Sequence, residues 1–548
     1  MKFRIFILML ALVSLSMFSQ NIYKFTGNGD WTDTSQWENG SYPGIVVQAG
    51  DVVMVTGGLR IMTKIINYGT IESSIAVSSQ SSINIINGSL INFNKLTINE
   101  TFFSVGPGGK LLVEDFSEFL IGASSGLSNL GDISVSSEGI IKVSGSLATF
   151  SNNNSFENLG TIEIIEGKFA NRTSVIGSPV INNSGQFTVF EDGEITNLGD
   201  FINNSEGVIT CANTFTNGSN GKINNLGVMT ITGALANLTI DDGSLTNSNL
   251  INIENTAKFN VMSLGSFTSN GNVFVSSNCE VVNQSNAFLI KDGKFTNNGI
   301  LTNQSSISIA SVGELQNNGS ITNSFTGSKI NNLGLLSGFN SQHIGGFFND
   351  GAIAPGNFRE AVGRYSLDAL TQTSTASLNI NLAGTLASTT YDQLFVSESV
   401  VLNGTLNVSL LFGFEPEIGD AFTILKQGGA ILNTFSTINL PVLPLGRVWD
   451  TVNYSNDGVV ISVIEDPDLS ISDNNGSLKL IFYPNPVIDK VFVSGIFRAM
   501  DASIFNLNGQ KIMETSISNK NSSIGLSKLS SGIYLLKIEE STFKFLKK

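Results

Sequence analysis

A repeated phrase of about 20 residues is the feature that most restricts the possible folds of this chain of 548 residues. Lys294–Asn303 (KFTNNGILTN) matches Glu314–Asn323 (ELQNNGSITN), which begins 20 residues later. Similar phrases end, also at an offset of 20, at Asn197, Asn217 and Asn237. The tripeptide I-N-N recurs every 21 residues, at 181–183, 202–204 and 223–225. A fixed period of this length indicates a solenoid, in which each repeat packs only on its neighbours.

The repeating unit is short and alternating, which predicts strands rather than helices. Apolar side chains occupy every second position, as in Gly185–Val189, and the unit ends in Asn-Gly, Asn-Asn-x-Gly or an acidic residue followed by Gly. Two or three such strands per repeat predict an all-β fold, a right-handed parallel β-helix with sharp corners. Asn and Gly suit corners because both tolerate left-handed backbone, and Asn side chains at equivalent corners could stack into a ladder. The predicted acidic turns are Glu166-Gly167, Asp192-Gly193, Asp242-Gly243 and Asp292-Gly293.

The period also predicts the length of the solenoid. About 14 coils fit between residues 60 and 350, and at about 4.8 Å per coil they would form a rod on the order of 70 Å long. Cys211 and Cys279 then lie more than three coils apart, beyond the reach of a disulfide. We therefore predict two buried free thiols, although a disulfide would be chemically allowed in an exported protein.

Segments that differ from the repeat are predicted to cap both ends. Residues 20–58 place Trp31 and Trp37 in a turn-rich stretch before the strand Asp51–Thr56, similar to the opening segment of many secreted Bacteroidota β-helix proteins. We expect these indoles to cover the first coil rather than to stack on sugars. The coils then occupy 59–336. Residues 337–465, with the phrases GAIAPGNF, YDQLFVS, LNGTLNV and GDAFTIL, resemble the closing part of autotransporter-like β-helix passengers, which implies longer coils and a second cap.

The end of the chain contains short strands of a different kind. Tyr483-Pro484-Asn485-Pro486 predicts an extended entry, because proline cannot donate to a strand ladder. Asn508-Gly509 predicts a hairpin with a type I′ turn. The predicted strands are Lys490–Ser494, Ala502–Leu507, Gln510–Thr515 and Gly532–Glu539. They predict a small antiparallel, immunoglobulin-like β-sandwich over 478–548, joined to the solenoid by a polar linker at 466–477.

The motifs of this segment occur in a recognisable order. The series Y-P-N-P-V, I-x-N-x-x-G-Q and L-S-x-G-I-Y-x-L-K, with a lysine-rich end, resembles the type A C-terminal sorting domain of the type IX secretion system of Bacteroidota. The resemblance implies that the type IX machinery carries the chain across the outer membrane. It also implies that the tail is usually removed as the protein is attached to the cell surface. The residues implied as the sorting motif are Tyr483, Pro484, Asn485, Pro486, Gly509, Gly532 and Tyr534.

The beginning of the chain also predicts export. Residues 1–19 start with the basic segment Met1–Arg4, and the apolar stretch Ile5–Leu15 is too short to span a bilayer. We predict a signal peptide that is cleaved after Ser19. No other segment approaches 18 uninterrupted apolar residues, so the mature chain is expected to have no transmembrane segment. We therefore predict a secreted protein at the outer-membrane surface or in the extracellular space.

Composition and residue spacing argue against chemistry in the coils. Only 13% of residues are charged and the net charge is −15, which excludes nucleic acid as a partner because phosphates would be repelled. The sole histidine, His343, has no second His or cysteine pair for a zinc site. Asx-rich corners could hold calcium, but the calcium-binding nonapeptide is absent. The candidate acids are Glu191, Asp192, Glu194, Asp241 and Asp242, and the scattered bases are Arg172, Lys222, Lys291, Lys294 and Lys329. No catalytic, cofactor-binding or metal-binding residue is assigned.

These observations favour a non-catalytic surface protein, either an adhesin or a structural surface component, with a glycan or another cell-surface molecule as its ligand. One alternative is a carbohydrate-active β-helix enzyme, a polysaccharide lyase or hydrolase. Another is a carbohydrate-binding scaffold without catalysis. An enzyme would need carboxylates and aromatic side chains along a groove across several coils.

Overall fold

The computed structural model describes residues 20–73, 81–172, 179–339, 341–357, 361–467, 480–496, 498–518, 522–539 and 541–548. The predicted signal peptide and most of the predicted linker lie outside these ranges. The chain divides into two compact units between Ile464 and Glu465. Within the described ranges the only helical elements are two single 3-10 turns, Thr34–Gln36 and Glu38–Gly40. The predicted all-β class is confirmed.

The first unit is a parallel β-helix whose coils cross three sheets, named A, B and C in the order in which each coil visits them. Sheet A contains Ile22–Phe25, Val52–Val55, Thr70–Ser73, Lys95–Ile98, Glu118–Ile121, Ile140–Val143, the first part of Thr161–Asn171 and of Gln186–Asn197, Val208–Cys211, Val228–Thr232, Leu250–Glu254, Asn272–Val275, Lys294–Asn297, Glu314–Asn317, Leu335–Gly338, Ala352–Pro355, Ser377–Leu382, Thr405–Leu410 and Thr437–Asn439. Sheet B contains Asn28–Asp30, Gly58–Ile61, Ser81–Ile85, Thr101–Val105, Gly126–Asn129, Thr149–Asn152, the second part of Thr161–Asn171 and of Gln186–Asn197, Thr214–Asn217, Asn237–Ile240, Lys258–Val261, Glu280–Asn283, Ile300–Asn303, Ser320–Asn323, the first part of Ser341–Asn349 and of Arg364–Gln372, Gln393–Val396 and Ala421–Gln427. Sheet C contains Val46–Val47, Lys64–Asn67, Ser89–Asn92, Lys110–Val113, Asp132–Val135, Ser155–Asn158, Val180–Asn183, Asp200–Asn203, Lys222–Asn225, Ser244–Asn247, Ser266–Ser269, Ala287–Ile290, Ser306–Ile309, Lys329–Asn332, the second part of Ser341–Asn349 and of Arg364–Gln372, Val400–Val401 and Ile431–Leu432.

The register of the strands gives the coil length. Ile223, Leu245 and Phe267 are consecutive partners in sheet C, so a coil here takes 22 residues. Coils are longer near the end of the unit, where Leu378 pairs with Leu406 and Leu406 with Ile438. The predicted solenoid, with about 14 coils between residues 60 and 350, is confirmed, as is the lengthening of the coils after residue 337.

Alternation along each strand places one row of side chains inside the coil. In Lys222–Asn225, Ile223 and Asn225 are buried while Lys222 is exposed. Aromatic rings stack along the axis of the core: the ring centroids of Phe169 and Phe187 are 5.1 Å apart, and those of Phe187 and Phe201 are 5.4 Å apart. Such rings contribute much of the apolar area that the coils bury. Cys211 and Cys279 are buried free thiols, as predicted.

Buried asparagines end many strands and connect successive coils. The Asn203 side-chain amide donates to the Asn225 side-chain carbonyl at 2.7 Å, and Asn225 donates in turn to Asn247 at 2.9 Å. A second ladder of the same kind joins Asn129, Asn152, Asn171, Asn197 and Asn217. The predicted asparagine ladder is confirmed. It satisfies amides that would otherwise be costly to bury.

The glycines of the Asn-x-Gly corners have a different role from the one predicted. Gly227 does not have the positive φ that a left-handed conformation requires. A Cβ at this position would lie 2.1 Å from the carbonyl oxygen of Gly207 in the preceding coil. Glycine is needed here because the backbones of two coils approach closely at the corner.

The N-terminal segment starts the helix as well as capping it. Ile22–Phe25 already pairs in parallel with Val52–Val55, so the coils begin before residue 59, where we predicted them to begin. The first coil contains an insertion that hides the period, and this insertion carries Trp31 and Trp37. Both indoles are buried, with ring centroids 5.1 Å apart, and the Trp31 indole N–H donates to Gly44 O at 2.6 Å. The pair forms a lid and is not available to stack on sugars.

The other end of the helix is closed by an antiparallel hairpin. Gly458–Glu465 pairs with Ala421–Gln427, and Arg447–Trp449 and Asn453–Ser455 pair with Gly458–Glu465. Just before this cap, Asp392 accepts hydrogen bonds from the backbone N–H groups of Gly363 and Asn381, at 2.7 and 2.8 Å. Burial raises the pKa of this carboxyl to about 8, against the opposing effect of these N–H donors. Asp392 therefore connects its own segment to the segments that contain Gly363 and Asn381 in the terminal coils.

The second unit consists of two antiparallel sheets that enclose a separate core. The three-stranded sheet contains Ile481–Tyr483, Lys490–Ser494 and Ser523–Gly525. The four-stranded sheet contains, in spatial order, Lys511–Ile517, Met500–Asn506, Gly532–Ile538 and Ser541–Lys547. The predicted small antiparallel β-unit is confirmed. Its first and last strands and Ser523–Gly525 were not predicted.

Candidate sorting signal and surface sites

Most of the predicted sorting motif gathers along one end of the four-stranded sheet. Asn506, at the hairpin tip that contains Gly509, pairs with Tyr534, and Tyr534 pairs with Phe545 of the last strand. Asn485 lies beside that last strand. Tyr483 belongs to the other sheet and stacks on Phe492, with ring centroids 5.9 Å apart. Tyr483-Pro484 and Asn485-Pro486 are both cis peptide bonds.

Asn485 completes the outer edge of the four-stranded sheet. Its side-chain N–H donates to Lys544 O at 3.1 Å, and its side-chain carbonyl accepts from the Leu546 N–H at 2.9 Å. The Val487 N–H then donates to Leu546 O, and the Lys548 N–H donates to Val487 O. The flanking prolines cannot donate, so the asparagine amide supplies what a peptide group would supply in a strand. The edge of the last strand is thereby covered.

Tyr534 fixes the loop that precedes its strand. Its hydroxyl donates to Ser530 O at 3.0 Å, four residues upstream, and its ring stacks on Phe545 with centroids 5.7 Å apart. This arrangement resembles the tyrosine corner of β-sandwiches. Gly532 has no comparable constraint, because a Cβ there would meet the Tyr534 ring at an ordinary contact distance of 3.7 Å.

The hairpin at Gly509 forms as predicted, but its turn type differs. Gly509 has a φ of +81°, whereas Asn508 is not among the residues with positive φ, so the type I′ turn is wrong. Asn506 N–H donates to Gln510 O and Gly509 N–H donates to Asn506 O, which leaves three residues in the loop. The Asn506 side chain accepts from the N–H groups of Asn508 and Gln510. This Asx interaction and the left-handed glycine favour the longer loop.

Two of the candidate acids lie close to a third acid on the neighbouring coil. Asp192 pairs with Glu166, and Glu194 pairs with Lys168, to which it forms an ion pair at 2.8 Å. These four side chains line a cavity of about 300 Å³. The predicted turns at Glu166-Gly167 and Asp192-Gly193 are wrong, because both pairs lie within the long strands Thr161–Asn171 and Gln186–Asn197. A register shift between Ile164 and Glu166 lets each long strand continue around the corner between sheets A and B.

The other candidates are placed apart from these acids. Asp241 and Asp242 lie at an exposed bend after Asn237–Ile240. His343 is buried, its Nε2 lies 3.2 Å from the side-chain amide of Asn323, and burial lowers the pKa of its imidazole to about 4. In the described part of the chain, no group of three or more His, Cys, Asp or Glu side chains is placed to hold a metal ion.

A second concavity, of about 430 Å³, crosses three coils of sheet B near the C-terminal end of the helix. Sequence reasoning missed it, because its residues come from separate coils and form no motif. The guanidinium carbon of Arg364 lies 4.5 Å from the centre of the Phe395 ring. Asp368 accepts from the Gly345 N–H at 2.8 Å and from the Ser397 hydroxyl at 3.1 Å. The wall of the concavity also includes Gln342, His343 and Ser366.

Comparisons with known proteins bear on the C-terminal unit and on the fold. Residues 481–548 match the family described as the secretion system C-terminal sorting domain. None of the curated proteins compared with the chain matches it. The autotransporter UpaB from E. coli strain CFT073 is among the solved structures to which the chain is similar. The two are 13% identical, with 82% of this chain and 95% of that chain covered and a TM-score of 0.21. A likeness this distant supports no argument about ligands or activity.

The sorting-domain match assigns a destination to the chain. The predicted motif residues fall within the matched range, which begins at Ile481. In the described ranges no helix is long and apolar enough to cross a bilayer. The chain thus carries a type IX C-terminal sorting domain, interacts with the type IX secretion machinery and is exported to the cell surface or the extracellular space.

Proposed function

We propose that the β-helix is a non-catalytic surface component that binds cells, glycans or matrix outside the cell. Its coils are tied to each other by backbone ladders, asparagine ladders and a continuous core, which favours a stiff rod. At about 4.8 Å per coil, the roughly 14 coils between residues 60 and 350 give the rod a length on the order of 70 Å and a long exposed surface. Export to the cell surface or beyond provides the setting for such a role.

The observation that carries this proposal is the pairing of charges between neighbouring coils. Lysines face acids at the paired position of an adjacent coil, as for Lys258 and Glu280 at 3.2 Å. The other pairs of this kind are Lys110 with Asp132, Lys142 with Glu163, Lys168 with Glu194, Lys222 with Asp200, and Lys294 with Glu314. Lys142 also forms an ion pair with Glu118 of the preceding coil. Exposed pairs of this kind add little stability. They fix register, and the lysines and acids that form them are engaged with each other rather than with a ligand.

A carbohydrate-active enzyme is the second candidate, and one observation favours it. Glu166 and Asp192 occupy paired positions on neighbouring coils and line the same cavity as Glu194. A glycosidase places its two carboxyl groups on opposite sides of the bond that it cleaves. Here Glu166 and Asp192 are paired neighbours, and Glu194, two residues after Asp192 on the same face, is held by Lys168. We therefore rank catalysis below binding.

The proposal predicts a loss of attachment when the chain is missing from the surface. Cells that display the chain should attach to glycan- or matrix-coated wells several-fold better than cells that lack the gene. The purified secreted chain, added in excess, should compete for the same wells. A strain that makes the chain without Leu529–Lys548 is the matched control, because it should synthesise the rod but not display it. Equal attachment of all three strains would contradict the proposal.

A further inference from the structure

We infer that the concavity around Arg364 and Phe395 binds a carboxylate-bearing saccharide; this rests on the proposed binding function and names a ligand class for it. The concavity is formed by the strands Ser341–Asn349, Arg364–Gln372 and Gln393–Val396, which are neighbours in sheet B. Its volume, about 430 Å³, is in the range of small-ligand pockets.

Arg364 supplies the charge for this site. It forms no hydrogen bond or ion pair with any residue in the described ranges, and its Nε is buried without a partner. Three other arginines each hold a carboxylate: Arg60 with Asp30, Arg447 with Glu417, and Arg498 with Glu539. Packing on Phe395 fixes the plane of the Arg364 guanidinium. A fixed, unpaired guanidinium fork is suited to a planar carboxylate, which it can bind through two parallel hydrogen bonds.

The outward row of side chains beside Arg364 supplies polar groups and the aromatic ring. Gln342, Ser366 and Phe395 are consecutive strand partners in sheet B. The opposite row, which contains His343 and Leu367, is buried in the core. The surface of the concavity is therefore formed by Arg364 and this outward row, and the His343 imidazole packs behind it.

The remaining groups favour a saccharide over an acidic peptide. Gln342 and Ser366 offer an amide and a hydroxyl group beside the charged centre, and the Ser397 hydroxyl, which donates to Asp368, can still accept a hydrogen bond. Such groups pair with sugar hydroxyls. Asp368 already accepts two hydrogen bonds and so stabilises the wall. An extended peptide binds most readily along an open sheet edge. The middle strand, Arg364–Gln372, has parallel partners on both sides and offers no such edge.

The test is a binding titration of the full secreted chain with four probes by calorimetry. The probes are an oligomer of galacturonate, the same oligomer with methyl-esterified carboxyls, a neutral oligomer of glucose, and an oligomer of glutamate. The galacturonate oligomer should bind, and the methyl ester and the neutral oligomer should bind at least about 10-fold more weakly. The variant Arg364→Gln should weaken galacturonate binding about 10- to 100-fold, the range for a lost charge-assisted pair. The variant Arg364→Lys keeps the positive charge but lacks the guanidinium fork. Its affinity for the galacturonate oligomer should lie between those of the unmodified chain and of Arg364→Gln.

Arg172→Gln is the matched control, because Arg172 is an exposed arginine on an earlier coil and lies outside the concavity. It should bind the galacturonate oligomer as the unmodified chain does. Circular dichroism of all variants checks that the β-helix is folded. Failure of the galacturonate oligomer to bind, equal binding by Arg364→Gln, or preferential binding of the glutamate oligomer would overturn the inference. Normal attachment of cells that carry Arg364→Gln would overturn this site alone. Equal attachment of the unmodified strain and the strain that lacks the gene would overturn the proposed function itself.

Discussion

Deletion of Leu529–Lys548 is expected to abolish export and to leave the chain in the periplasm. The deletion removes two of the four strands in the larger sheet of the sorting domain, Gly532–Ile538 and Ser541–Lys547. It also removes the buried residues Leu536 and Phe545 from the core. The Asn485 side chain would lose both of its hydrogen-bond partners. Cell fractionation, together with protease digestion of intact cells, measures the displayed fraction, which should fall to background.

The control for this deletion is Asn508→Ala in the same domain. Asn508 lies at the exposed hairpin tip, and its side chain contributes nothing to the core. Export of this variant should equal that of the unmodified chain, and both should appear at the surface. Normal surface display of the truncated chain would show that the assignment of the export signal to this unit is wrong.

Replacement of Asn225 by Ala is expected to destabilise the β-helix by about 3–5 kcal/mol, the sum of two or three buried hydrogen bonds whose partners lose their pairing. Asn225 accepts from Asn203 at 2.7 Å and donates to Asn247 at 2.9 Å and to Leu250 O at 3.0 Å. Its side chain is fully buried in the middle of a ladder. Guanidinium unfolding of the secreted chain measures the free energy of unfolding.

The neighbouring residue provides a matched control for this substitution. Asn224 points outward from the same strand and makes no side-chain hydrogen bond with the described residues. Asn224→Ala should change the free energy of unfolding by less than about 0.5 kcal/mol, as is usual for surface substitutions. Amide hydrogen exchange should show faster opening of the coils around residue 225 in Asn225→Ala but not in Asn224→Ala. Equal effects of the two substitutions would contradict the structural role of the ladder.

Period and composition were sufficient to predict the solenoid, but exact matches between repeats were misleading about register. Lys294 and Glu314, which align at an offset of 20, are strand partners. Asn197 and Asn217 are partners too, but Asn217 then pairs with Ile240, so Asn237 lies outside the ladder. Coil length varies because corners differ in size, and a fixed offset cannot follow that variation.

The I-N-N tripeptides show the same effect at the level of one residue. Ile181 pairs with Phe201 and not with Ile202, and Phe201 pairs with Ile223. A shift of one residue exchanges the buried and exposed faces of a strand. The phenylalanine, which buries more apolar area, determines which face points inward. Ladder residues such as Asn203 could therefore be assigned only after the buried face was known.

The candidate sites differ in how far the sequence could predict them. The sorting motif was predictable because its residues form an ordered series within one short segment. The contacts of Asn485 with the last strand were not, since that strand was not predicted. The concavity at Arg364 and Phe395 depends on the register of long, irregular coils near the end of the helix. No local pattern in the sequence indicates that these two residues meet.

The most direct test of the central claim is whether the rod changes the saccharides that it meets. The purified secreted chain is incubated with a panel of acidic and neutral polysaccharides, and new reducing ends and unsaturated products are measured over time. We expect binding without product above the buffer control, because several carboxylates of the coils, among them Glu194, Asp200 and Glu314, are held in ion pairs with lysines. Turnover that disappears in Asp192→Asn or Asp242→Asn would contradict a non-catalytic function.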